Sequence, residues 1–286
     1  MKTFLSIGSG PGMGMATASR FAGEGFRVIL SSRNKSNVAA QADQLRAAGF
    51  AAEGRVADAS DIISIAELIR EVEEETGGVD VLHFNAAAMH DGNLETQSVA
   101  GFIEDLTTNI GAVYAAIKAV TPRMAARGEG AILLTGGMFA TQPHPEYLTL
   151  SIGKAGLLNL THGLFPVLKA QNIHLSIVTV GAYVTPGSAE AREIADLFWQ
   201  QYRQPSAQWT AEAFYPVPHH QLPSPAVAWR PGAIARTCGR NVIHRLLSLS
   251  PRIRIRRYSW RLCDEIFYRY GGDVIVEHAG AGGGRA

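Results

Sequence analysis

Cysteine is absent from the first 216 of the 286 residues, and lysine is absent after Lys169. The two cysteines, Cys238 and Cys263, form no CxxC pair, so neither a disulfide framework nor a metal site is expected, and a reducing compartment fits. Long apolar runs are missing as well. Glycines interrupt the opening MKTFLSIGSG before it reaches signal-peptide length, and no later stretch approaches a membrane span. A cytoplasmic location with no membrane partner is expected. Net charge is nearly absent too, at +1 overall.

What is present is globular: 47% apolar and 18% charged residues, enough apolar material for a sizeable core, which excludes disorder throughout. The charge is unevenly spread. Residues 1–216 hold 15 Lys+Arg against 21 Asp+Glu, and residues 217–286 hold 11 against 4, all of the basic ones arginine. The stretch FYPVPHHQLPSP, with four prolines, marks a linker at this boundary. Residues 217–286 read as a poorly ordered Pro/Arg-rich extension of unknown role, with short helices at Val242–Leu249 and Trp260–Tyr270 and a low-complexity glycine-rich end. Its segment PRIRIRRYSWR reads as a solvated basic face, and no nucleic-acid partner is expected. The change to arginine alone suggests an origin separate from the body.

Within residues 1–216, strand-like and helical patterns alternate. Thr3–Ile7, Arg27–Ser31, Ala52–Asp58, Val79–Asn85, Ala131–Thr135, His174–Val180 and Trp209–Tyr215 read as strands. Between them Met15–Ala22, Ser36–Ala48, the stripe Ile62, Ile65, Ala66 and Ile69, then Phe102–Arg127, Leu150–Gln171 and Glu190–Tyr202 read as helices, acids covering the outer face of the third. Repeated βα units imply an α/β fold, a doubly wound parallel sheet with helices on both faces.

Directly after the first strand stands GSGPGMG. Residues without Cβ at Gly8, Gly10, Gly12 and Gly14, with Met13 between the last two, let backbone N–H groups and the next helix's N-terminus approach a pyrophosphate; a purely structural turn is the alternative. The second strand ends in SSRN, where a dinucleotide fold meets the adenosine ribose. A carboxylate there would repel a 2′-phosphate. Ser32, Arg33 and Asn34 instead offer a hydroxyl, a guanidinium and an amide, so NADP(H) is expected over NAD(H), unless Arg33 is only a solvated cation.

On these motifs the chain resembles the short-chain dehydrogenase/reductase family over residues 3–216. Gly8, Gly12 and Gly14 match its GxxxGxG turn, Asp58 its adenine-side aspartate, and Asn85-Ala86-Ala87 its Asn-Ala-Gly motif. Asn109 in TNIGAVYAAIKAV resembles its helix asparagine, and Lys154 in GKAGL the lysine of its Tyr-x-x-x-Lys motif. Gly181–Pro186, which includes Thr185, is similar to the segment that closes over nicotinamide, with Val180 for the usual proline. The resemblance implies a Rossmann-like NAD(P)-binding domain at 1–216, a lysine that bonds the nicotinamide ribose, and a homo-oligomer built on the helices of Asn109 and Lys154.

The same resemblance exposes two departures. Four residues before Lys154 stands Leu150, where the family's proton-carrying tyrosine belongs, and its substrate-binding serine falls at Gly137. Tyr147 is the candidate replacement, with His144 and Tyr183 behind it; Tyr147 as a pocket wall is the alternative. In an unbroken helix Tyr147 would lie roughly 10 Å from Lys154, which excludes a direct hydrogen bond. Asn109 has two readings, a catalytic role or a bond to a neighbouring backbone carbonyl. Met138, Phe139, Leu150 and Tyr183 suggest a hydrophobic substrate. The expected function is an NADP(H)-dependent oxidoreductase for a small hydrophobic carbonyl or alcohol, with a displaced or degenerate proton donor. The alternative is a non-catalytic dinucleotide-binding sensor or partner subunit.

Overall fold

The computed structural model describes residues 1–216; the expectations for 217–286, including Cys238 and Cys263, lie outside the described residues. Seven strands, β1 (Thr3–Ile7), β2 (Arg27–Ser32), β3 (Ala52–Val56), β4 (Val81–Phe84), β5 (Gly130–Thr135), β6 (Ile173–Val180) and β7 (Glu212–Tyr215), form one parallel sheet in the order 3-2-1-4-5-6-7. The order reverses between β1 and β4. In such a sheet the crevice at the carboxyl ends of the strands around that reversal is the place for a ligand.

Strand alternation divides the core into two layers. Leu5, Ile7, Leu82, Phe84, Ile132 and Leu134 point to one face, where they pack with α3 (Ile62–Thr76), α5 (Ala112–Arg127) and α6 (Leu148–Lys169). Phe4, Val28, Leu30, Val81 and Leu133 point to the other, against α1 (Met13–Gly23), α2 (Lys35–Ala47) and α7 (Ala189–Arg203). With both faces covered, the central strands carry the continuous apolar runs seen in the sequence. On α3 the outward acids are exposed except Glu73, which is buried beside Arg123 at 3.2 Å.

Two sequence expectations change. The helix read as Phe102–Arg127 begins at Val99, where Ser98 caps the first turn of α4 (Val99–Leu106), and a π-helical turn at Thr107–Gly111 separates α4 from α5. The last strand starts only at Glu212, because Trp209 follows a 3-10 turn and stacks on His174 at 4.7 Å.

The π turn widens the helix where α6 crosses it, and two glycines on α6 receive it. A Cβ on Gly153 would sit 2.6 Å from Asn109 Cβ, and one on Gly156 would sit 2.5 Å from Ile110 Cδ1. Gly153→Ala is therefore expected to cost about 1–3 kcal/mol through overpacking. Gly163→Ala, on the same helix with nothing within 4 Å, is expected to gain up to about 1 kcal/mol. Urea midpoints of the two variants check the contrast.

A histidine lies at the centre of the sheet. His83 is fully buried, accepts or donates to Ser6 Oγ at 3.0 Å and Thr135 Oγ1 at 3.4 Å, and burial pushes its pKa down to about 3. The unfolded chain takes up a proton near pH 6.5 that the folded chain refuses until near pH 3. Stability present above pH 6.5 is thus lost as pH falls, by about 1.4 kcal/mol per unit. His174, also lowered by burial, adds in the same direction. Urea unfolding between pH 4 and 7 is expected to show this slope, and His83→Gln to make it shallower by one proton.

Candidate active site

The glycine turn is held by backbone contacts that leave no room for side chains. Gly8 has φ +80°, and a Cβ there would lie 2.3 Å from the Ala86 nitrogen. Gly14 also lies tight against Ser9, a Cβ falling 2.9 Å from Ser9 Cα. Above Gly10 the space is open. The first helix starts at Met13 after Gly12 with no side-chain cap, so its first N–H groups face outward for an anion.

Asn85 joins three strands at this end. Its Nδ2 donates to Gly8 O at 2.9 Å, and its Oδ1 accepts from Thr135 Oγ1 at 2.9 Å. Around it a cleft of about 520 Å³ is lined by Gly8, Gly10, Ser32, Arg33, Asp58 and the loop from Asn85 through His90. Arg33 is exposed and has no ion pair among the described residues. Asp58 accepts from Ser60 N at 2.9 Å and shapes its own turn. Asn34 points elsewhere: its side chain caps α2 by accepting from Asn37 N at 3.0 Å.

The other expected residues stand apart from this cleft's wall. Asn109, buried in the π turn, accepts from Ala88 N at 2.8 Å and donates to Ala88 O at 3.5 Å, and so braces the loop after β4. Lys154 Nζ donates to Thr135 O at 2.8 Å, and desolvation pushes its pKa down to about 8. As a residue Lys154 is half-buried; its ammonium is the part drawn inward. Its stem crosses Gly137, where a Cβ would find Lys154 Cγ and Cε at an ordinary 3.6 Å. Leu150 is buried one helical turn away. Tyr147 is the non-helical cap residue of α6, its ring stacked on Phe139 at 5.7 Å and tilted to His144 at 5.4 Å. Thr185 is exposed and Tyr183 is 91% exposed, in a segment whose Val184 O would lie 4.0 Å from a Cβ on Gly12.

Sequence reasoning overlooked the far wall of the cleft, formed by His90, Glu104, Asp105 and Thr108. His90 Nε2 lies 2.9 Å from Asp105 Oδ1, and the carboxylate holds the imidazole's pKa above its ordinary value. Only the sequence's carboxylate buried in an amphipathic helix, Asp105 in VAGFIEDL, offered a signal. A second cavity of about 490 Å³, lined by Phe26, Asp80, Gly130, His174 and Trp209, lies at the opposite, amino ends of the strands.

Sheet order and cleft define an α/β protein of the dinucleotide-fold class. The profile described as short chain dehydrogenase matches residues 2–195, and the chain belongs to that family. It is similar to dehydrogenase/reductase SDR family member 4 of Sus scrofa, 31% identical over 185 residues that cover 64% of this chain and 66% of that protein. The chain thus spans just under two thirds of that relative's length. Among solved structures, a metagenomic short-chain oxidoreductase in complex with NADP matches with TM-score 0.68 and 26% identity, over 74% of this chain and 95% of the other. A dehydrogenase/reductase from Sinorhizobium meliloti 1021 matches with TM-score 0.66 and 28% identity, over 74% and 92%.

Proposed function

We propose that the chain is an NADP(H)-dependent oxidoreductase that moves a hydride to or from a small hydrophobic carbonyl or alcohol, with its proton donor displaced from the family's position. The observation that carries this is the cleft, where the glycine turn, Arg33, Asp58 and the Asn85 loop converge at the strand-order reversal. The residues fit a dinucleotide: open space over Gly10, uncapped N–H groups at Met13, and an exposed guanidinium at Arg33. The NADP bound to the metagenomic relative supports the same assignment.

Bound NADP(H) supplies the hydride. Gly8 to Gly14 hold the pyrophosphate; Ser32 and Arg33 take the 2′-phosphate, and Asp58, Ala86 and Ala87 border the adenosine. Lys154 bonds the nicotinamide ribose, its ammonium oriented by Thr135 O, and Thr185 belongs to the segment beside the nicotinamide. Asn109 keeps the Ala88 loop in place from behind. Tyr147, Phe139 and Leu150 exclude water from the reacting carbon, which favours an apolar substrate. Exposed Val99, Ile103 and Tyr114 on the helices flanking the Asn109 turn, and Ile152 on the helix of Lys154, support a homo-oligomer built there.

The second reading, a non-catalytic dinucleotide sensor or partner subunit, is favoured by Leu150 and Gly137 alone. Turnover by the unaltered chain separates the two: NADPH-dependent reduction of benzaldehyde is expected under the oxidoreductase reading and none under the sensor reading. Gly137 has extended backbone at φ −165°, so Gly137→Ser fits without strain, and with Leu150→Tyr it supplies the family's groups as a positive control. Cofactor choice is read by nicotinamide fluorescence: NADPH is expected to bind ahead of NADH, and Arg33→Ala to erase the gap, about tenfold or more. Failure of both cofactors to bind would remove both readings.

A further inference from the structure

Leu150 and Gly137 leave the reaction without the family's proton-carrying pair, and the far wall of the cleft holds an imidazole and a carboxylate that the cofactor does not need. His90 is half-exposed on that wall, while Asp105 beneath it is only 5% exposed. Every acceptor on the carboxylate is used: Oδ1 faces His90 Nε2 at 2.9 Å, and Oδ2 accepts from Thr149 Oγ1 at 2.7 Å and Gln97 Nε2 at 3.1 Å. A buried carboxylate costs several kcal/mol unless it is paired and hydrogen-bonded, so its placement is tied to a cation opposite it.

Thr149 puts this arrangement beside the empty catalytic position, because it is the chain neighbour of Leu150 on the first turn of α6. The loop that carries His90 is fastened to the same turn. Gly92 N donates to Glu146 O at 2.7 Å, Leu148 N donates to Gly92 O at 3.0 Å, and Asn93 Nδ2 donates to Glu146 Oε2 at 2.9 Å. The imidazole is therefore held from α4 by Asp105 and from α6 through the paired loops.

We propose that His90, oriented by Asp105, is the proton donor and acceptor that takes the place of the tyrosine missing at Leu150. The inference rests on the oxidoreductase reading above and names its displaced donor; Tyr147, whose ring is engaged by Phe139 and His144, is left as a wall of the pocket. The ring nitrogens divide the work. Nε2 stays on Asp105, and Nδ1, which donates to Asp91 O over a long 3.3 Å, is the nitrogen that exchanges this bond for one to a substrate oxygen. Reduction of a carbonyl takes a hydride onto carbon, supplied by NADPH as it is oxidised to NADP⁺, and a proton onto oxygen, passed from the Nδ1–H of the imidazolium. Solvent at the half-exposed ring returns the proton. In the oxidative direction neutral Nδ1 accepts the hydroxyl proton as hydride leaves for NADP⁺.

The charged groups facing His90 are Asp105 from α4 and Asp91 from its own loop, with Glu104 on the same wall; α6 contributes only the neutral Thr149. Asp105 first and Asp91 after it favour the imidazolium, so His90 is charged further above pH 6.5 than a free histidine.

Two measurements on the full chain test the proposal. Imidazole NMR, with His90 assigned through His90→Gln, is expected to show a titration midpoint above 6.5 in the NADP⁺ complex and a fall in Asp105→Asn. With benzaldehyde and NADPH, kcat/KM is expected to drop as pH rises through that midpoint. His90→Gln is expected to lower kcat/KM roughly 10² to 10⁴-fold and flatten the profile, while NADPH affinity by fluorescence stays within about twofold. An unshifted His90, or a His90→Gln protein with wild-type rate and profile, overturns the proposal. So does a rate loss that merely follows lost NADPH affinity. A wild-type protein that binds neither NADPH nor NADH overturns the oxidoreductase reading itself, and the dyad's catalytic role with it.

Discussion

Everything at the carboxyl edge of this sheet depends on the Asn85 side chain, which ties the tips of three parallel strands together. Parallel strands end with backbone groups that the ladder no longer satisfies, and loops that leave in different directions need a tether. Asn85 is that tether, donating to Gly8 O and accepting from Thr135 Oγ1. It draws the β1 turn so close to the β4 loop that Gly8 has no room for a Cβ against Ala86. The same threonine that bonds Asn85 offers its carbonyl to Lys154 and its hydroxyl to His83, so the cleft floor and the core beneath it are one polar network. Such a network rigidifies a site, and the Lys154 ammonium keeps donors beyond its bond to Thr135 O for a ligand.

From that floor the two walls of the cleft differ in origin. The near wall is backbone: glycines, an uncapped helix start and the alanines after Asn85, all suited to a ligand that presents phosphate oxygens. The far wall is side chains borne on α4, the π turn and the loop paired to α6. It is here that the proposed function places the displaced proton donor, near Leu150 and Gly137. The glycines Gly153 and Gly156 let α6 lie close against the π turn and α4, which brings Thr149 onto Asp105.

The architecture was legible because buried parallel strands write themselves as unbroken apolar runs, and because a strand followed by GSGPGMG has few structural uses. Boundaries failed where tertiary contacts overrule pattern. Trp209 looked like strand but stacks on His174, and the π turn keeps helical periodicity through Thr107–Gly111, so no sequence rule divided α4 from α5. Asn34 stands before a helix as well as beside the cleft, and its Oδ1 caps that helix. The His90–Asp105 pair escaped notice since its members lie fifteen residues apart on a loop and a helix, and only the fold brings them together.

Central to the account is a dinucleotide lying across the strand-order reversal, with its adenosine end at Arg33 and its nicotinamide end toward Lys154. Diffraction from crystals grown with NADP⁺ tests this most directly. The account predicts pyrophosphate density over Gly10 and Gly12, the 2′-phosphate within hydrogen-bonding reach of Arg33, and the nicotinamide ribose at Lys154. A cleft without density at saturating NADP⁺, or a dinucleotide seated elsewhere on the chain, would contradict it.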